Sequence, residues 1–431
     1  MLLDCGLFQG LKELRLRNWR ERVPDPGSVA AVLLSHAHID HSGYLPLLCR
    51  LGFRGPIYCS SGTADLLAVV LPDAAHLQEE EADRANRKGY SKHQPALPLY
   101  TERDAQTALA QVEPRGYDAL FTVADDATAV LRPAGHILGS ATVQLDCDGM
   151  RLVFTGDLGR YDRPILRDPE TVLLADVLIV ESTYGDRPHP AGAEDDLARV
   201  VNDAARRGGA ILVPAFAVDR TQELLWMLRR LERAGRVPTL PVYIDSPMAI
   251  EVTDVYRRHP EDCDAEITRA VAAGEQPLAP ARLHIARSEQ DSRAINRVRG
   301  PAIIISSSGM ATGGRILHHL AQRVGDPGIT VLLVGFQAVG TRGRALEDGA
   351  TQLTLLGQTV PVRARVERID ALSAHADSGE ILRWLGGLTR PPRVTYLVHG
   401  EPQASTALAA AIRARYAWDV QVAGDGEIIA L

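Results

Sequence analysis

The sequence predicts an α/β protein, and three observations carry that prediction. Short apolar runs rich in β-formers recur along almost the whole chain. Segments with apolar positions at helical spacing lie between them. At 431 residues the chain exceeds the ~100–200 residues usual for one domain, so two domains, or one with a large insertion, are expected.

Taken in order, the expected strands are AAVLLS (30–35), PIYC (56–59), RLVFTGD (151–157), DVLIVES (176–182), AILVPAF (210–216), PVYIDS (241–246), AIIISSS (302–308), TVLLVGF (330–336), VTYLVHG (394–400) and EIIAL (427–431). Each is a compact Val/Ile/Leu run of the length a buried strand needs. Helical patterns are read over 219–235, 379–388 and 402–417. The stretch 82–109, polar and broken by Pro and Gly, is expected to be a long excursion near the surface. RPHPAGAEDD (187–196) resembles a domain junction more than an element interior.

Composition excludes several classes. No apolar stretch approaches the ~18 residues that span a bilayer, so no membrane partner is expected. MLLDCGLFQGLKE lacks a basic region followed by a long apolar one and does not read as a secretory signal. The five cysteines are scattered without a C-x-x-C pair, which argues against a disulfide framework and a cysteine–zinc site. A reducing cytoplasm is therefore expected. A net charge of −7 provides no general attraction to nucleic acid, so any positive charge for a polyanionic substrate must be local.

The densest chemical signal is SHAHIDHSG (35–43), which packs His36, His38, Asp40 and His41 behind an apolar run. An extended chain points residues i and i+2 to one side, so His36 and His38 can converge just past a strand end. Asp40 and His41 follow where Ser42 and Gly43 suggest a turn. A lone histidine is more often a hydrogen-bonded structural residue. Three imidazoles and a carboxylate packed together are costly without a cation between them. Imidazole plus carboxylate suits zinc, with manganese or iron as lesser options.

H-x-H-x-D-H after an apolar strand resembles the signature of the metallo-β-lactamase fold, and further pieces follow in order. LLDCG supplies Asp4, similar to an aspartate that orients metal-ligating histidines. PAGHILGSA supplies His136, and FTGDLG supplies Asp157 at a strand end. Downstream, VESTYGDR (Glu181), LSAHADSGE (His375) and YLVHGE (His399) resemble the motifs of the β-CASP nucleases, a family that includes bacterial and archaeal relatives of the cleavage and polyadenylation specificity factor nuclease.

The resemblance implies an αββα core with an inserted α/β β-CASP domain, divided as 1–185, 186–368 and 369–431. It implies that the first strands usual in the family, before LLDCG, are missing here. It also implies two zinc ions, with manganese a substitute: His36, His38, His136 and Asp157 would hold one, and Asp40, His41, Asp157 and His399 the other. Asp40, Glu181 and His375 form the implied catalytic set, with His375, oriented by Glu181, donating a proton to the leaving 3′ oxygen. Single-stranded RNA is the expected substrate, since a cleft between domains admits a strand more easily than a stiff duplex.

SSSGMATGGR (306–315) follows a strand and opens a helix-like segment, so Ser308, Gly309 and Arg315 are candidates for gripping an RNA phosphate. The arginines of 342–368 could add charge, although alternation in VRARVER reads as a solvated strand face. Two rival readings remain: a small-molecule hydrolase of thioesterase or lactonase type, and an RNA-binding subunit with a dead site. A homodimer is compatible with the sequence, which leaves the oligomeric state open.

Overall fold

The computed structural model describes residues 1–20, 23, 25–89 and 91–429. They form two compact units: Met1–Pro188 with His375–Leu431, and His189–Ala374.

The first unit begins with a parallel sheet in the order β1 (Leu2–Leu3), β2 (Val32–Leu33), β3 (Ile57–Ser60) and β4 (Val112–Arg115). Helix Ser61–Lys88 packs against β3 and β4 through Leu66, Leu67, Val70 and Leu71. Ser60 caps its start, accepting from the Thr63 N–H at 3.1 Å, and Gly89 ends it with φ +63°. This helix corrects the expected excursion over 82–109. Residues 82–88 are its last turns, because Ala82 and Ala85 turn inward while the charged residues around them stay solvated. Glu102–Leu109 is a second helix, closed by a capping box between Thr101 and Asp104.

A second sheet starts with the antiparallel strands β5 (Phe121–Ala124), β6 (Ala127–Pro133), β7 (Ala141–Cys147) and β8 (Met150–Phe154). β9 (Val177–Glu181) then runs parallel to β8. The sequence reading omitted β4 to β7. Their Thr, Gln, Arg and Ala positions dilute the apolar signal that a half-buried strand otherwise gives. The two sheets share a core in which Leu33 and Tyr58 meet Val143, Leu145 and Phe154.

The second unit is built on a six-stranded, wholly parallel sheet. Its strands are β10 (Ile211–Pro214), β11 (Val242–Ile244), β12 (Leu283–Ile285), β13 (Ile303–Ser306), β14 (Thr330–Leu333) and, after the hairpin of β15 (Gln352–Leu355) with β16 (Gln358–Pro361), β17 (Arg365–Arg368). The spatial order is β12-β11-β13-β10-β14-β17. β10, β13 and β14 are buried throughout, as expected for strands covered on both faces. Leu212, Ile304 and Val331 pack with Ile316 and Leu320 of helix Ile316–Arg323.

The first unit is completed by β18 (Val394–Val398), parallel beside β9, and β19 (Val420–Val422) at the edge. Helices Ser378–Leu385 and Pro402–Tyr416 cover this sheet, with Trp384, Leu408 and Ile412 packed around Val153, Leu178 and Leu397. The arrangement is helix, sheet, sheet, helix. The strand expected over 427–431 is corrected: 427–429 are irregular, and Ala430 and Leu431 lie outside the described residues. Ile428 is 97% exposed and buries against nothing among the described residues. Among the described residues no helix is long and apolar enough to cross a membrane.

Candidate metal centre

The carboxyl ends of β2, β8, β9 and β18 deliver most of the chemistry to one place in the first unit. Ser35, His36 and His38 follow β2, and His38 opens the single-turn helix Ile39–Ser42 that carries Asp40 and His41. Asp157 follows β8, Glu181 ends β9 and His399 follows β18. His136 sits in the β6–β7 connection. His375 is drawn in by an isolated bridge to Gly159, and the Ala376 N–H donates to the Leu158 carbonyl at 2.7 Å.

Two groups of donor atoms result. His36, His38, His136 and Asp157 form one, and Asp40, His41 and His399 another; within each group the ligand atoms lie within 4.8 Å of one another, as do those of Asp157, His375 and His399. Asp157 faces both. Its Oδ2 is 3.4 Å from His36 Nε2 and 3.4 Å from His136 Nε2. Its Oδ1 is 3.3 Å from His41 Nε2 and 3.2 Å from His399 Nδ1. His38 Nδ1 lies 3.0 Å from His36 Nε2 and 3.2 Å from His136 Nε2. His399 Nε2 is 3.6 Å from Asp40 Oδ2.

Asp4 belongs to the support of this cluster. Its Oδ1 accepts from the Ser35 N–H and its Oδ2 from the Ser35 hydroxyl, both at 2.7 Å, and Oδ2 lies 2.6 Å from His41 Nδ1. Engaging Nδ1 in this way turns the other ring nitrogen toward the cluster, the usual way a carboxylate orients a ligating histidine. Glu181, fully buried, accepts from the Leu158 N–H at 2.8 Å and the Thr183 N–H at 3.2 Å. Its Oε1 is 3.1 Å from His375 Nδ1.

The electrostatics divide the histidines. Burial, reinforced by neighbouring imidazoles, pushes His36, His38 and His136 down, His38 to about 3, so they stay neutral with lone pairs available. Burial opposes charge on His41, His399 and His375 as well, but the carboxylates beside them win. Asp157 and Asp4 raise His41, Asp157 and Asp40 raise His399 to about 9, and Glu181 and Asp157 raise His375. Asp157 itself is held well below the usual carboxylate range despite its burial, by His399, His41, His375 and His36.

This donor set fits a metal. His136 Nδ1 and Asp157 Oδ1 are buried with no aligned hydrogen-bond partner among the described residues, a costly state without a cation at hand. The carboxylates that raise His41 and His399 would equally favour a divalent cation in the same place. The donors are imidazole nitrogens and carboxylate oxygens, with no thiolate, as borderline metals such as zinc prefer.

Three supporting residues escaped the sequence reading. Ser35 joins Asp4 to His36, its hydroxyl 2.9 Å from His36 Nδ1. Thr183 donates its hydroxyl proton to the His399 carbonyl at 3.0 Å, with His399 Nδ1 at 3.3 Å. Gly6 packs its Cα on the turn that carries Asp40 and His41, where an added Cβ would stand 1.5 Å from the Asp40 carbonyl oxygen. Only the ST-rich context hinted at the first two, and nothing local marked the third. Gly6→Ala is expected to displace Asp40 and His41, lower bound metal at the second group and cost about 1–3 kcal/mol of stability. Metal analysis and thermal melting of the variant check this; unchanged metal content would show that the turn tolerates the methyl.

The residues expected to grip RNA lie in the second unit. Ser308 Oγ accepts from the Thr312 N–H at 3.0 Å, and Gly309 is buried with its Cα against the Phe216 ring. Arg315 differs from the expectation of a phosphate-facing side chain. Its guanidinium donates to Asp245 Oδ1 at 2.8 Å and to the carbonyls of Ala286 and Arg287 at 3.0 and 3.1 Å. Asp245 is fully buried and also takes Ser292 and His319, both at 2.6 Å, so Arg315 serves as a counter-charge inside the fold. Of the arginines of 342–368, Arg344 pairs with Asp348, Arg365 with Asp203 and Arg368 with Glu347 at the surface.

Comparison with known proteins adds three matching families. Residues 1–213 match the beta-lactamase superfamily domain, 221–346 the Beta-Casp domain, and 359–423 the Zn-dependent metallo-hydrolase RNA specificity domain. The chain is 38% identical over 410 residues to Ribonuclease TTHA0252 of Thermus thermophilus, covering 95% of this chain and 89% of the relative. It is 31% identical to an RNase J-like protein of Methanocaldococcus jannaschii, covering 96% and 89%. It is 30% identical to the transcription termination factor FttA of Methanosarcina mazei, covering 96% of this chain but 65% of that longer protein.

Proposed function

The chain belongs to the β-CASP ribonuclease family of the metallo-β-lactamase superfamily, and on that premise we propose that it hydrolyses phosphodiester bonds of single-stranded RNA with two metal ions. The observation that carries this reading is Asp157, with one oxygen on each of two donor groups and the Glu181–His375 pair alongside. Two relatives covered over most of their length are named a ribonuclease and RNase J-like, which supports RNA as the substrate.

His36, His38, His136 and Asp157 would hold one ion in this reading, and Asp40, His41, Asp157 and His399 the other; zinc would fit both sets, with manganese a substitute. When bound, the ions supply a water of lowered pKa and positive charge for the phosphate oxygens. The protein supplies the rest. Asp4 and Ser35 hold His41 and His36 in the ring orientation that ligation needs. Glu181 holds His375 Nδ1 and favours its protonated form, so Nε2 carries the proton delivered to the leaving 3′ oxygen. A cytoplasmic site of action belongs to the same reading.

The test is direct. Purified protein is analysed for metal and incubated with end-labelled single-stranded RNA, with and without a chelator. We expect close to two zinc equivalents and cleavage that stops with chelator and returns when zinc is added back. Cleavage that continues after the metal is gone would defeat the proposal, and two bound metals with no cleavage would favour a small-molecule hydrolase.

A further inference from the structure

The second unit carries a feature that the metal centre does not use. In its sheet, β10 and β14 are neighbours, but the chain leaves β10 toward β11 on one side and leaves β14 toward β17 on the other. Adjacent parallel strands with diverging connections open a crevice at their carboxyl ends, where open α/β sheets bind ligands. The loops at this crevice are 215–219 after β10 and 334–341 after β14, with 307–315 after β13 flanking β10.

These loops are locked to one another. The Gln337 side chain, 3% exposed, donates to the carbonyls of Gly309 at 3.2 Å and Gly335 at 3.0 Å. The Gly343 N–H donates to the Met310 carbonyl at 3.0 Å, and Arg342 Nη1 reaches the carbonyls of Ala311 and Thr312 at 3.3 Å each. The Phe216 ring lies against both loops: a Cβ on Gly309 would come within 2.7 Å of it, and one on Gly335 within 3.5 Å.

On this pinned frame Phe336 is 45% exposed, flanked by Val339 at 56%. Among the described residues it is the only exposed phenylalanine. Single exposed apolar residues are ordinary. Phe336 differs in its position, at a topological switch point, next in sequence to the glutamine that ties its loop to the Ser308–Gly309 turn. A half-wet ring on a rigid loop offers its face with little entropy left to lose on binding. Two side chains are too little apolar area for a protein partner, but one ring suffices for one base. Sequence-tolerant recognition of a single strand relies on such stacking.

We infer that Phe336 is a stacking platform for a nucleobase of the RNA substrate, forming an RNA-contacting site in the second unit. The inference rests on the ribonuclease reading above, since only a single-stranded polynucleotide brings bases to such a ring.

The experiment uses the full, zinc-loaded chain and a fluorescent single-stranded phosphorothioate RNA that resists cleavage. Phe336→Ala is expected to raise Kd about 5- to 150-fold, the range produced by losing one base–aromatic stack. Phe336→Trp is expected to restore binding. With cleavable RNA the loss lies in KM rather than kcat. RNA carrying a run of abasic nucleotides, which keeps the phosphates and removes the bases, should bind wild type and Phe336→Ala alike.

Wild-type affinity in Phe336→Ala would overturn the inference, as would an equal loss on abasic RNA. In either case wild-type cleavage of RNA leaves the ribonuclease reading standing. A wild-type protein that neither binds nor cleaves RNA would remove both.

Discussion

Replacing His375 by alanine is expected to lower kcat on single-stranded RNA by about 10²–10⁴-fold, the usual weight of a positioned general acid, while bound metal stays unchanged. The reason is geometric. His375 Nδ1 is committed to Glu181 at 3.1 Å and stands 3.9 Å from the nearer Asp157 oxygen, farther from that carboxylate than His36, His41, His136 and His399. His399→Ala should behave differently, because His399 Nδ1 is 3.2 Å from Asp157 and Nε2 3.6 Å from Asp40. That variant should lose about one metal equivalent by the donor-count argument for an open site. Single-turnover cleavage and elemental analysis of the two variants separate the roles. Equal metal loss in both would contradict them.

Asp157→Ala is expected to have the largest effect on the protein as a whole. Asp157 is 2% exposed and lies between His36 and His136 on one oxygen and His41 and His399 on the other. Removing it takes a ligand from both groups, so metal content should fall well below that of His399→Ala and cleavage should become undetectable. It also leaves the buried His41 without the Asp157 carboxylate 3.3 Å from its Nε2, and breaking a buried pair in this way costs about 3–5 kcal/mol. Metal analysis together with thermal melting checks both parts. A variant that keeps its full metal complement would refute the bridging position assigned to Asp157.

Much of the candidate site was legible before the structure because its ligands sit at element boundaries that sequence marks well. His36, His38, Asp40 and His41 are contiguous, and a strand followed by a turn is enough to bring them together. Asp157, Glu181 and His399 each follow a Val/Ile/Leu run, and the ends of such runs in a parallel sheet are where ligands gather. The fold class was legible for the same reason: buried parallel strands are compact apolar blocks.

Strands β4 to β7 were not legible, because one face of each is polar enough to break the run. EIIAL misled in the opposite sense, since its Ile428 and Ile429 are apolar but exposed.

Which side chains could hold metal, and their order along the chain, was readable from the residues alone, because ligand type and strand-end position are local properties. What each residue faces was set only when the sheets packed. Packing placed Asp157 astride two groups, set Gly6 against the Asp40 carbonyl, and turned Arg315 inward to neutralise Asp245, seventy positions away. Those outcomes depend on which distant backbone or charge a side chain meets once the sheets are packed. A buried carboxylate takes the nearest cation whatever the spacing between them in the chain.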